Sequence, residues 1–201
     1  MTTQTEPKST TTAKRTAAGA PTTSLGALAG AGAAGVALGV LAMIGRKVAV
    51  QAPTALAGDW DQALAAEHKA VLKLFDALEA TEDRNTTKRS ILLAQMKHAL
   101  AKHALEEENA VYPALRDAGM IADADELNKE HGYVKQFLYE LETMPKESPK
   151  FLDTVRRFRS EIEDHMREEE QELFPKLKGQ LSPEKNKALT GLMNKEGFKL
   201  A

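Results

Sequence analysis

From about Trp60 onward, apolar residues recur with the spacing of helices that bury one face. Leu64, His68, Val71, Phe75 and Leu78 step by four, three, four and three. The same steps return 63 positions later as Leu127, His131, Val134, Leu138 and Leu141. A second stripe, Leu93, Met96, Leu100, His103, Glu107 and Val111, returns 62 positions later as Val155, Phe158, Ile162, His165, Glu169 and Leu173. Such stripes are the buried seams of amphipathic helices. Each carries one histidine, and two carry a glutamate one turn beyond it, on the same helix face. The pattern therefore predicts a helical hairpin written twice.

Local signals set the expected boundaries. Asp59 with Gln62 reads as a capping box opening a first helix to about Ala80. Thr81 to Thr87 reads as a loop, and a second helix follows from Lys88 to Tyr112, ending near Pro113. Gly119 is a break, Asp123 with Glu126 caps a third helix to Met144-Pro145, and Ser148-Pro149 opens a fourth, to about Phe174. Ser182-Pro183 starts a short C-terminal helix over 182–194. The connections are short, so successive helices are antiparallel neighbours. The expected fold is all-α: an up-down-up-down four-helix bundle over 59–178, built from a duplicated hairpin.

The chain before the bundle reads differently. Residues 1–23 are rich in Thr, Ala and Lys with no apolar period, the mark of disorder. Residues 24–45 are an apolar Gly/Ala-rich run about as long as the ~20 residues of a spanning helix. Gly26 and Gly30, and Gly35 and Gly39, have the small-residue spacing of membrane helix packing. A membrane association, with the rest cytoplasmic, is one reading; a flexible apolar linker or a removed targeting segment is the other. Basic residues flank both ends, so orientation is not legible. Residues 46–58, with Pro53, read as a linker.

Composition narrows the chemistry. A net charge of −2 gives no nucleic-acid footprint. The absence of cysteine excludes disulfides, thiolate-bound zinc and iron–sulfur clusters. What remains is four histidines and two glutamates on buried seams. A buried lone carboxylate costs several kcal/mol, and an imidazole needs partners for both nitrogens. One or two divalent cations satisfy all six groups. Nitrogen and oxygen donors without sulfur suit iron, manganese or zinc. The expected metal ligands are His68, His103, Glu107, His131, His165 and Glu169.

Other positions are read as peripheral. His98 lies off the seam and is expected at the surface. Glu106 and Glu168 sit one residue off it, as partners of the ligands or alternatives to them. Glu67 and Glu130 are expected to face solvent or form ion pairs, and Tyr112 and Phe174 to pack at the bundle end, although Tyr112 can also donate to the site. The Glu-x-x-His pairs of ferritin-like di-iron enzymes are absent, as is the His-Glu-x-x-His of zincins. No serine has a matched base, and the glycine-rich run lacks a P-loop ending.

The motifs Glu67-His68, His103 with Glu106-Glu107 and Tyr112-Pro113, Glu130-His131, and His165 with Glu168-Glu169 and Phe174-Pro175 resemble the hemerythrin-like, or HHE cation-binding, family over about Asp59 to Lys178. The resemblance implies two iron ions as a non-haem di-iron centre with a bridging oxygen species, zinc or manganese being less favoured. It implies the six ligands named above, and a small diatomic molecule or peroxide as partner. Oxygen-carrying members place a second histidine one turn from the third-helix histidine, where this chain has Leu127 and Lys135. That departure leaves an extra open position and favours sensing, scavenging or redox chemistry over reversible oxygen carriage. The competing reading is a membrane-tethered interaction or iron-handling module with a structural or storage metal.

Overall fold

The computed structural model describes residues 1–3 and 42–201. The described residues from 42 onward form a run of helices: α1 (42–56), α2 (Trp60–Glu79), α3 (Thr86–Glu106), α4 (Tyr112–Asp117), α5 (Ile121–Thr143), α6 (Phe151–Glu168), α7 (Phe174–Gln180) and α8 (Pro183–Leu200). Two π-helical segments, Glu107–Val111 and Glu169–Leu173, join α3 to α4 and α6 to α7 without a break. No strand occurs among the described residues.

The expected bundle is present. α2 packs on α3 and α6, and α5 packs on the same two helices, closing a ring. The seams drive this arrangement: Leu64, Val71, Phe75 and Leu78 of α2 are buried with Leu127, Leu138 and Leu141 of α5 and Val155, Phe158 and Ile162 of α6. Burying each such side chain contributes roughly 1.5–3 kcal/mol. The core falls into two apolar clusters. One holds Trp60, Leu64, Val111, Leu127, Leu173 and Phe174; the other holds Val71, Phe75, Met96, Leu138, Phe158 and Ile162. The seam histidines fall between these sets along every helix, so a polar layer divides the core.

Several boundaries differ from the sequence reading. Gln62 does reach back to the Asp59 N–H, at 3.3 Å, and Ser182 does cap α8 by accepting the Lys185 N–H, at 3.3 Å. α5, however, begins at Ile121 with no side-chain cap, directly after Gly119 turns the chain at φ 82°. α6 begins at Phe151, because Ser148 caps a preceding turn by accepting the Lys150 N–H. The second and fourth helices run through their aromatic–proline steps: Pro113 and Pro175 follow directly on the π segments, whose wider turns take up a ring that would clash within a regular α-helix. α8 runs to Leu200, beyond 182–194.

The expected linker over 46–58 is corrected: residues 42–56 are helical. The helix is held by a polar stripe. Lys47 donates to the carbonyls of Phe198 and Lys199 at the end of α8, both at 2.8 Å. One turn on, Gln51 donates to Glu106 and Asn194, each at 3.1 Å, and Thr54 donates to Glu67 at 2.5 Å. The expected membrane run 24–45 lies outside the described residues apart from 42–45, which are helical. Among the described residues no helix is long and apolar enough to cross a membrane. The expected disordered stretch 1–23 lies outside them too, apart from 1–3.

Candidate metal centre

The four helices of the ring each deliver one histidine to the polar layer, all nearly buried: His68, His103, His131 and His165. The π segments add Glu107 and Glu169, both fully buried. The ring Nε2 atoms face inward. His68 Nε2 and His103 Nε2 lie 3.0 Å apart. Glu107 Oε2 is 3.1 Å from His103 Nε2 and 3.3 Å from His131 Nε2. Glu169 Oε2 is 3.5 Å from His68 Nε2 and 3.4 Å from His165 Nε2. Each carboxylate thus lies between two histidines on different helices. All six expected ligands are brought together.

The outward nitrogens show how the rings are held. His68 Nδ1 meets Glu170 at 2.7 Å, His103 Nδ1 meets Glu67 at 3.2 Å, His131 Nδ1 meets Glu108 at 3.0 Å and His165 Nδ1 meets Glu130 at 2.6 Å. An ionised carboxylate only accepts, so each Nδ1–H donates and each neutral ring turns an Nε2 lone pair inward. Four lone pairs and two carboxylates then face one another, which is repulsive without positive charge. Carboxylates behind histidines that fix tautomer and orientation in this way are characteristic of metal sites.

The set fits a cation on two further counts. Glu107 Oε1, Glu169 Oε2 and His165 Nε2 are buried without a hydrogen-bond partner. The separations of 3.0–3.5 Å among the inward atoms are those of adjacent ligands on an ion with bonds of about 2.1 Å. Among the described residues three groups are close enough to hold an ion: His68, His103, Glu107 and Glu169; Glu107, His131 and His165; and Glu67, His103 and Glu106, where the Lys102 ammonium already sits.

Protonation follows the same logic. Burial would lower the histidine pKa values, yet the facing carboxylates raise them: His103 well above its usual value through Glu107 and Glu67, and His131 to about 9 through Glu107 and Glu108. Burial would raise Glu107, but His103 and His131 hold it well below the carboxylate range. The layer attracts positive charge, as protons or as metal.

Of the two roles expected for Tyr112, packing or donating to the site, the structure shows the second. Its hydroxyl lies 3.3 Å from Glu107 Oε2, 3.0 Å from Glu169 Oε1 and 3.0 Å from His131 Nε2. The π segment explains this. Hydrogen bonding from i to i+5 widens the turn, so Tyr112 comes round beneath Glu107 instead of rotating off its face. Phe174 holds the equivalent place in the second repeat and packs edge-on against Trp60. Lys135, one turn after His131, points away and pairs with Glu108 at 3.2 Å.

The model of the hemerythrin HHE cation-binding domain matches residues 61–177, more than half of the chain. The chain belongs to the hemerythrin family. It is 30% identical over 118 residues to a protein from Nostoc sp. described as a DNA nickase, covering 59% of this chain and 33% of that one. It is 26% identical over 125 residues to an uncharacterized hemerythrin-like protein from Schizosaccharomyces pombe, covering 60% of each. The chain thus spans between a third and three fifths of the length of these relatives. No solved structure matches.

Within this hemerythrin domain, four carboxylates were missed as partners of the ligands: Glu67, Glu108, Glu130 and Glu170. The repeat held the signal, since Glu67 and Glu130 each precede a seam histidine and Glu108 and Glu170 each follow a seam glutamate. The ion-pairing role expected for Glu67 and Glu130 takes this form, with the seam histidines as partners. Glu106 and Glu168 differ. Glu106 is fully buried beside Lys102, at 2.8 Å, and Glu168 is exposed. His98 is half-buried with an unpartnered Nε2 in place of the expected surface position.

Proposed function

We propose that this hemerythrin domain holds two iron ions and binds or senses a small molecule, dioxygen, peroxide or nitric oxide, at that centre. The observation that carries the reading is the set of four inward Nε2 atoms, oriented by four outer carboxylates and straddled by Glu107 and Glu169. Bound iron would supply open coordination positions and a redox couple. His68, His103, His131 and His165 would hold it with Glu107 and Glu169.

The surrounding residues define what reaches the centre. A cavity of about 20 Å³ lies against His103, His131 and His165, walled by Leu100, Val134, Ile162 and Met166. That exceeds the roughly 10–15 Å³ needed for one water-sized molecule. Its apolar walls suit a small uncharged ligand. The Tyr112 hydroxyl stands on the other flank as a fixed donor beside both glutamates.

The test is metal content and an electronic spectrum of the full chain, before and after azide under air. Two irons per chain with bands that shift on azide are expected. His103→Ala combined with His165→Ala should abolish loading while retaining most helical circular dichroism. One zinc with no spectral response, or full iron in the double variant, would refute the reading.

A further inference from the structure

The two halves of the duplicated hairpin differ where they meet solvent. In the first half, Glu67 behind His103 is covered. Lys102, nearly buried, places its ammonium against Glu67 and Glu106, and α1 lays Gln51 and Thr54 over them. A recess of about 230 Å³ beside α1 still reaches Glu67, but Lys102 stands next to it in the lining and His103 is not reached.

In the second half the equivalent residues are all acidic, an aspartate standing where the first half has Lys102. Sixty-two positions after Ala99, Lys102 and Glu106 stand Glu161, Asp164 and Glu168. All three line an uncovered groove of about 100 Å³ between α5 and α6, together with Glu130. No lysine or arginine lines it, although Arg167 pairs with Asp164 at its rim and Lys129 and Arg157 lie over its Tyr133 and Phe137 rings. Its floor reaches a ligand: His165, 6% exposed, lines the groove with its Nδ1 held by Glu130 at 2.6 Å, while its buried, unpartnered Nε2 faces the centre beyond. Val134, Ile162 and His165 line both this groove and the central cavity.

We propose that the α5–α6 groove is the route by which a divalent cation reaches and leaves the centre, making the His131–His165 half the exchangeable position. The proposal rests on the metal-centre reading above. Carboxylates converging on a cleft concentrate cations at its mouth, and oxygen donors exchange hydration waters stepwise as an ion descends. On the other face an approaching cation meets the Lys102 ammonium. The groove between α3 and α5 is lined mainly by apolar residues, with Lys97, Lys135 and Glu142 around them, which suits uncharged molecules better than ions.

The experiment follows ferrous iron uptake by the full chain, stripped of metal, without oxygen. A chelator stops uptake at timed intervals and bound iron is measured. The Glu161→Gln/Glu168→Gln variant should load roughly fivefold or more slowly at low ionic strength, reach the same final content and show a weaker salt dependence. Glu142→Gln, beside the other groove and paired with Lys97 at 2.8 Å, should load as the parent does. Release from the parent into excess chelator should show a fast and a slow phase. An unchanged rate and salt dependence in the double glutamine variant, or single-phase release, would overturn the route. A parent chain that takes up no iron would overturn the metal-centre reading itself.

Discussion

Replacing Gly197 by alanine should destabilise the protein although it places a better helix former inside α8. Alanine gains about 1 kcal/mol over glycine in a helix interior. Here, however, the new Cβ would lie 1.7 Å from Glu106 Oε1 and 2.8 Å from Gln51 Oε1. Glu106 Oε1 accepts from both Lys102, at 2.8 Å, and Gln51, at 3.1 Å, so the carboxylate cannot swing away without losing both. Overpacking costs about 1–3 kcal/mol, and depriving a buried carboxylate of partners costs about 1–3 more. The net loss should be roughly 1–5 kcal/mol after the helix gain. Gly191, on the exposed face of the same helix, has no atom near the site of an added Cβ. Gly191→Ala should therefore stabilise by about 0.5–1 kcal/mol. Urea unfolding of both variants and the parent, all with chelator present so that metal does not shift the equilibrium, separates the two effects. If Gly197→Ala matches or exceeds the parent while Gly191→Ala gains as expected, the close packing of α8 on Glu106 is wrong.

Two other outcomes follow from the centre. In the metal-free chain His68, His103 and His131 have raised pKa values, despite burial, because of the carboxylates facing them; His131 reaches about 9. A histidine raised on folding contributes stability that is full below about 6.5 and is lost as pH rises through the folded value. The melting temperature of the metal-free chain should accordingly fall between pH 6.5 and 9, and flat behaviour over that range would contradict the charge balance. Tyr112→Phe keeps the ring packing and removes the hydroxyl between Glu107, Glu169 and His131. It should keep the fold at a cost of about 0.5–1.5 kcal/mol, load metal, and change the electronic spectrum and azide response; identical spectra would place the hydroxyl outside the centre.

The parts legible in the sequence were those written in apolar periodicity. The seams of α2, α3, α5 and α6 each carry an apolar stripe, and the six inward ligands interrupt those stripes at repeated places, so pattern and chemistry reinforce one another. α1 was hidden for the opposite reason. Lys47, Gln51 and Thr54 form a polar stripe, and Pro53 next to them reads as a helix breaker. Arg89 was equally silent. It is fully buried, donating to Thr81 at 2.8 Å, Lys146 O at 2.5 Å and Asp83 at 3.0 Å, under the Phe151 ring. Nothing local marks an arginine whose partners come from two separate loops. The outer carboxylates sat inside acidic runs, where one inward member was expected and the neighbour's reach to another helix depends on tertiary packing.

The π segments amount to an insertion that the centre has absorbed. One extra residue in a regular helix rotates everything beyond it by about 100°, but a bonding step of five takes that residue up within a single turn. Tyr112, five residues after Glu107, therefore stands where the fourth residue of an ordinary helix would stand, and α4 continues in register. Deleting one residue between Glu108 and Val111 should leave a continuous α-helix with Tyr112 still one turn below Glu107, whereas deleting two, or adding one, turns it off that face. The same holds for the stretch after Glu169. The twofold design thus carries one residue of slack in each half: related domains should differ in length by one residue at these two places and by no more.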